Sequence, residues 1–315
     1  MQRSLKTHSV LPVFIGGTGR SGTTVLGDLL NEHSQVRTSD PTEIKFLSNR
    51  GGFLDVVFGS IGSQLESRAK LSILHYRTYR QRRVKEIELR AARFADFEQK
   101  LWEKWWQIDA PPPHGPGLHS GVSRERFAQL LARYHKRIKR DPIAQARQFV
   151  HGFIASQKNH GAQRYWVETT PMNISYSHRL TKVFPEAKFI IIRRDPRDVI
   201  ASLLTKSWGP NTPLEGVEWI EARLRADHQA IQHVPASNVL IIELEDLVTN
   251  SPQKSYESIL SFLSLQDEKA MNSFHSEKMT AENASSGRWK DEIDTPEFVA
   301  AIDEMNKRLK QEKII

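Results

Sequence analysis

The 315-residue chain contains no cysteine. Disulfides, thiolate metal sites and thiol nucleophiles are thereby excluded. No apolar run approaches the ~20 residues that a membrane-spanning helix needs. Residues 1–11 are polar and lack the apolar core of a signal peptide. Carboxylate clusters at metal-ligand spacing are absent too. These gaps predict a soluble, cytoplasmic protein with no metal centre. Acidic residues are in deficit: 37 Asp and Glu against 45 Lys and Arg give a formal charge of +8. A basic surface of this kind serves an anionic small molecule, an anionic membrane face or nucleic acid. Hydrophobic content is low at 38%, but a chain of this length can still bury a sizeable core.

What is present centres on residues 13–31, VFIGGTGRSGTTVLGDLLN. Val13, Phe14 and Ile15 predict a short buried strand, and Gly16–Gly22 a glycine-rich turn. From Thr23 onward, Val25, Leu26, Leu29 and Leu30 recur at helical spacing. A strand, glycine turn and helix in this order aim backbone N–H groups and the positive end of a helix dipole at one anion.

Three phosphate loops compete for the stretch. Gly17, Gly19 and Gly22 fit the dinucleotide pattern, which also requires a second strand ending in an acid about twenty residues on. Asp40 and Glu43 stand at about that distance, but residues 34–40 hold one aliphatic side chain, Val36, and predict a poor strand. Gly17, Gly22, Thr23 and Thr24 fit a nucleoside-triphosphate loop, except that Thr23 replaces the lysine that reaches the β- and γ-phosphates. The third reading moves the cation into the turn, at Arg20, followed by Ser21, Gly22, Thr23 and Thr24.

A second stretch bears on the choice. Phe189–Ile192 predicts another buried strand, ending in Arg193 and Arg194 and followed by a helix that Asp195 or Asp198 can cap. Arg194 and Ser202 can face one oxyanion across that turn, the first with a forked donor set and the second with a hydroxyl. Alone, the stretch reads equally well as a basic surface turn balanced by its own aspartates. Behind the first loop, it reads as a second phosphate site.

The two loops in this order resemble those of sulfotransferases that use 3′-phosphoadenosine-5′-phosphosulfate (PAPS), in the style of a bacterial branch similar to the tyrosylprotein and heparan sulfate enzymes. The resemblance implies an α/β fold with a P-loop-type parallel sheet flanked by helices. It further implies a single domain over residues 1–315, with a mostly helical insertion at about 55–160. The cofactor it implies is PAPS, leaving 3′,5′-adenosine bisphosphate as product, with no metal. By the same resemblance, Gly19, Arg20, Ser21, Gly22, Thr23 and Thr24 hold the 5′-phosphosulfate, and Arg20 also stabilises charge on the leaving oxygen. Arg194 and Ser202 hold the 3′-phosphate. Residues 283–290 resemble the family's Gly-x-Trp segment that closes over that phosphate, which assigns Gly287 and Arg288 to the cofactor.

Residues 33–47 resemble the heparan sulfate enzymes' segment around a catalytic glutamate, and Glu43 takes that place. A carboxylate there can act as general base if a nearby cation does not trap it. None of the twelve histidines can be assigned to the base role that histidine has in small-molecule sulfotransferases. Tyr165–Asn173 resembles a Trp-x-Glu-Lys-Thr-Pro segment in which Thr169 replaces the lysine. Glu168 is then expected to pair with a site arginine rather than to act in catalysis. The implied acceptor is a hydroxyl or amine of a small molecule, lipid or carbohydrate, before a peptide tyrosine and not nucleic acid. Two rivals from other classes are a P-loop phosphotransferase using ATP and a non-catalytic polyanion binder driven by charge.

Between about Gly52 and Asp141 no motif stands out. Residues 64–106 lack proline and predict helix, with a solvated basic face at Arg77, Arg80, Arg82, Arg83 and Lys85. Trp102, Trp105 and Trp106 predict core anchors ahead of an acceptor wall. Residues 110–117 predict a loop, and residues 124–139 and 141–159 predict helices. The strand from Val239 ends in a structural Glu245-Asp246-Leu247, Ser251 and Pro252 open a helix, and residues 296–313 form a peripheral one.

Overall fold

The computed structural model describes residues 10–60, 76–108, 116–159, 161 and 163–315. In chain order the elements are β1 (Leu11–Gly16), α1 (Thr23–Asn31), β2 (Val36–Thr38), α2 (Phe53–Phe58), α3 (Tyr76–Lys100), α4 (Arg124–Lys136) and α5 (Pro142–Ile154). They continue with β3 (Tyr165–Glu168), α6 (Ser177–Val183), β4 (Lys188–Arg193), α7 (Pro196–Leu204), α8 (Pro213–Ile231) and β5 (Val239–Glu243). Last come α9 (Pro252–Leu263), α10 (Lys269–Lys278), α11 (Trp289–Glu292) and α12 (Pro296–Gln311). They group into two compact units, one made of Met1–Thr38, Ala162–His178 and Glu186–Ile315, the other of Ser39–Gly161 and Arg179–Pro185.

The first unit holds a five-stranded sheet in the order β2-β3-β1-β4-β5, parallel throughout. Its central strands read as near-continuous apolar runs because both faces are covered. Val13, Phe14, Ile15, Phe189, Ile190 and Ile192 are all fully buried. One face packs on α1, α9 and α10 through Leu26, Leu29, Leu30, Ile259, Leu263 and Met271. A second core joins α7, α8 and α12 through Ile200, Ile220, Phe298, Ile302 and Met305. The register pairs Gly16 with Ile191, so the glycine turn after β1 and the arginine turn after β4 leave the sheet side by side. From β1 the chain moves one way to β2 and β3 and then to the other side for β4, which makes this the crevice where ligands of open α/β sheets bind.

One local expectation was too pessimistic. Residues 36–38 do form a strand, β2, paired in parallel with β3. A single buried aliphatic, Val36, suffices because β2 is an edge strand tied down by polar bonds. The Thr38 hydroxyl donates to the Gly27 carbonyl at 2.8 Å, and the Thr38 N–H donates to Asn31 Oδ1 at 3.0 Å.

The second unit is helical and built on aromatic rings. Phe46 meets Phe97, Phe127, Phe149 and Phe153 at centroid distances of 5.1–6.3 Å, mostly edge to face. After α3 the helix widens into one π turn, Leu101–Trp105. Trp105 and Trp106 are buried, as core anchors should be, while half-buried Trp102 lies between Trp106 and the guanidinium of Arg124, which sits 4.6 Å from its ring. Arg80, Arg82, Arg83 and Lys85 are exposed along α3. The predicted helical stretch over 64–75 and the loop over 110–115 fall largely outside the described residues. Asp55 and Arg179 form a buried ion pair at 2.8 Å, with Gly51 N–H donating to the carboxylate and the guanidinium donating to the Gly59 carbonyl.

Candidate phosphate-binding site

The site is built from the turn after β1, the turn after β4, and residues 284–289, all in the first unit. Backbone demands explain the glycines of the first turn. A Cβ on Gly17 would stand 2.4 Å from the Ile192 carbonyl oxygen, so only glycine lets β4 approach this closely. Gly22 has φ 99° and precedes α1, a left-handed conformation that disfavours side chains. No side chain caps α1. Its first N–H groups therefore keep their capacity for an anion, which the helix dipole favours there.

The structure joins the two predicted motifs directly. Arg20 Nε donates to Ser202 Oγ at 2.9 Å, linking the glycine turn to α7. Arg194 donates to the Arg20 carbonyl at 3.2 Å and to the carbonyls of Ala284 and Ser285 at 2.7 and 2.9 Å. Burial holds the Arg194 guanidinium below its usual proton affinity. Arg288 and Arg20 push it the same way, while Asp198 and Glu245 oppose them. Positive charge is therefore concentrated at the point where the two turns meet.

At this site two buried polar atoms of the described residues, Ser21 Oγ and Arg194 Nε, make no hydrogen bond. Ser21 is fully buried and the Arg194 side chain is 8% exposed. Unpaired donors in a dry, cationic turn are costly unless a ligand meets them. They fit an anion carrying several acceptor oxygens.

The C-terminal segment is held by the chain's own groups. Gly287 has φ 83°, and a Cβ there would meet nothing within 4 Å. Left-handed backbone, rather than crowding by the chain, is what calls for glycine at this position. Its N–H donates to Asp198 Oδ2 at 2.8 Å, and the Trp289 N–H donates to Asp198 Oδ1 at 3.2 Å. Arg288 is engaged with Glu292 at 2.7 Å. Asp195 caps α7 by accepting from the Arg197 N–H at 2.9 Å, which leaves Asp198 for the C-terminal segment. Glu245 accepts from the Asp195 N–H at 2.9 Å and so steadies the arginine turn, consistent with its reading as structural.

Glu168 is fully buried and accepts from the Thr170 N–H at 3.0 Å and from Asn173 Nδ2 at 2.6 Å. It organises the turn after β3. Glu43 belongs to the second unit, in irregular chain rather than a helix, with its carboxylate 3.9 Å from Lys45 Nζ. The sequence reading gave Asp198 only as a possible cap and Glu245 only as structural, and it did not name Arg223. Asp198 and Glu245 carried partial signals, as an acid one helical turn after Arg194 and as a strand-end acid. Arg223, on α8, carried none, although it donates to the Gly17 carbonyl at 2.8 Å.

A solved structure shares this architecture. The sulfotransferase domain from the curacin biosynthetic pathway is 15% identical, with 96% of this chain and 99% of that chain covered and a TM-score of 0.50, which shows a common fold. A sulfotransferase domain from the olefin synthase of Synechococcus PCC 7002 is 19% identical over 97% of this chain and 98% of that chain, with a TM-score of 0.46. Sulfotransferase STF9 from Mycobacterium avium is 15% identical over 96% of this chain and 77% of that chain, at 0.47. No curated protein sequence matches. The sulfotransferase family profile matches residues 12–269, a span that takes in both phosphate turns, and the chain belongs to the sulfotransferase family.

Proposed function

We propose that the protein transfers the sulfonyl group of PAPS to a hydroxyl or amine of a small-molecule, lipid or carbohydrate acceptor. The observation that carries this reading is the 2.9 Å bond between Arg20 and Ser202. It brings together two motifs, one suited to a 5′-phosphosulfate and the other to a 3′-phosphate. A nucleotide with phosphates at both ends matches that pairing better than ATP, which has no 3′-phosphate. When bound, the cofactor supplies an activated sulfonyl group and a phosphate leaving group.

Gly19, Ser21, Gly22, Thr23 and Thr24 surround the 5′-phosphate in this reading, and the unpaired Ser21 hydroxyl donates to it. Arg20 stabilises the charge that grows on the leaving oxygen, an electrostatic effect strongest in the transition state. Arg194 and Ser202 hold the 3′-phosphate, with Gly287 and Arg288 beside it. Arg288 joins after exchanging its pairing with Glu292. Glu43 takes the acceptor proton. Its carboxylate lies 3.9 Å from Lys45 Nζ, and both side chains stay 17–20% exposed. Positioning and charge stabilisation carry the rest of the catalysis, as in phosphoryl transfer.

Among the described residues, no helix is long and apolar enough to cross a membrane, and no His, Asp and Glu group is placed to hold a metal ion. The test is incubation with sulfur-labelled PAPS and a panel of phenol, sugar, lipid-alcohol and amine acceptors. Label should move to an acceptor with one bisphosphate released per transfer, and Glu43→Gln should slow transfer while cofactor affinity holds. Transfer of the γ-phosphoryl group of ATP, with PAPS inert, would replace this reading with a phosphotransferase.

A further inference from the structure

The glycine turn is braced from behind by a polar relay. Arg223, on α8, has an 11% exposed side chain and directs every guanidinium nitrogen at a partner. Its Nη2 donates to the Gly17 carbonyl at 2.8 Å and to the Pro171 carbonyl at 2.5 Å. Nε donates to both oxygens of Asp227 at 3.0 and 3.1 Å, and Nη1 contacts Met172 Sδ. Asp227, itself buried, also accepts from the Ser175 hydroxyl. On the other side of the same residue, the Gly17 N–H donates to the Pro171 carbonyl at 3.2 Å.

The consequence is geometric. Gly17 is held through both its N–H and its carbonyl, and one guanidinium nitrogen bridges that carbonyl to the one the N–H uses. Glycine at this position has the freedom to flip its peptide, and nothing in its own side chain resists. With the carbonyl drawn back onto Arg223, the peptides that follow keep their N–H groups free for the anion, and no carbonyl dipole swings into it. Arg223 also places a cation behind a phosphate loop whose usual lysine position is occupied by Thr23. Asp227 fixes the guanidinium from the far side, so the fork cannot rotate away.

We propose that Arg223, oriented by Asp227 and Ser175, is a positioning residue that sets the phosphate-binding conformation of the glycine turn. This rests on the nucleotide site proposed above and adds residues that do not touch the nucleotide. It separates two kinds of defect. Losing Arg194 damages recognition of the 3′-phosphate alone. Losing Arg223 damages the 5′ end, which 3′,5′-adenosine bisphosphate and 5′-AMP share.

The experiment is calorimetric titration of both nucleotides into wild type, Arg223→Met, Arg223→Lys and Asp227→Asn, with thermal unfolding of each variant recorded alongside. Removing a charged hydrogen-bond donor should weaken both nucleotides about tenfold in Arg223→Met, with their affinity ratio held at the wild-type value. Arg223→Lys restores the charge without the fork and should recover only part of that loss. Asp227→Asn keeps the arginine but loosens its orientation, and should give a smaller parallel loss. Unchanged affinities in a folded Arg223→Met protein would overturn the proposal, as would a loss confined to the bisphosphate. If Arg223→Met does not fold, unchanged affinities in Arg223→Lys and Asp227→Asn would overturn it. Wild type that binds neither nucleotide would instead remove the nucleotide reading on which the proposal rests.

Discussion

The two units of this protein bury different chemistry. The first buries polar groups beside the sheet: Ser21, Glu168, Thr169, Asp198, Ser202 and Asp227 are all 5% exposed or less. Of these, the Ser21 hydroxyl in the glycine turn makes no hydrogen bond. The second unit buries rings, with Phe46, Phe53, Phe94, Phe97, Phe127 and Phe153 each at most 1% exposed. The difference teaches where specificity resides. Polar burial is costly and persists where each group meets a partner in a defined geometry, as Asp55 and Arg179 do in the second unit, whereas ring packing contributes stability and tolerates many arrangements.

That contrast can be broken by substitution. The largest expected effect is on chemistry. Arg20→Ala should lower the turnover of sulfonyl transfer by about 10²–10³-fold, as loss of a transition-state donor does, measured as label transfer from PAPS. A much smaller loss would mean that Arg20 serves the fold through Ser202 rather than the reaction. Next come the stability effects of the second unit. Arg179→Leu leaves Asp55 buried without its charge partner and should cost about 3–5 kcal/mol in urea unfolding. Phe46→Ala, at the centre of the ring cluster, should cost about 3–5 kcal/mol by the same measurement. Neither should alter the ratio of bisphosphate to AMP affinity if nucleotide recognition resides wholly in the first unit. The smallest effect is a control at the periphery. Thr295 caps α12 by accepting from the Phe298 N–H, and Thr295→Ala should cost about 1 kcal/mol with transfer unaffected.

The same contrast explains what the sequence made legible. The glycine turn between β1 and α1 could be read because Gly17 and Gly22 have backbone requirements that few residue types meet. The central strands could be read from their unbroken aliphatic runs. β2 was underestimated because its stability comes from an edge position and from Thr38, neither of which shows as periodicity. Arg223 lay hidden because its pairing with Asp227 reads as an ordinary helix-face ion pair and the partners that tie it to the turn are backbone carbonyls. The aromatic unit resisted reading for the opposite reason: rings at helical spacing say that a core exists and little about what it serves.

The central claim is that one cationic crevice reads both ends of a nucleotide. Calorimetric titration of wild type and Arg194→Ala with 3′,5′-adenosine bisphosphate and with 5′-AMP tests it most directly. The account predicts tight binding of the bisphosphate, weak binding of AMP, and collapse of that difference in the variant. Equal affinities in wild type, or a difference that survives Arg194→Ala, would contradict it.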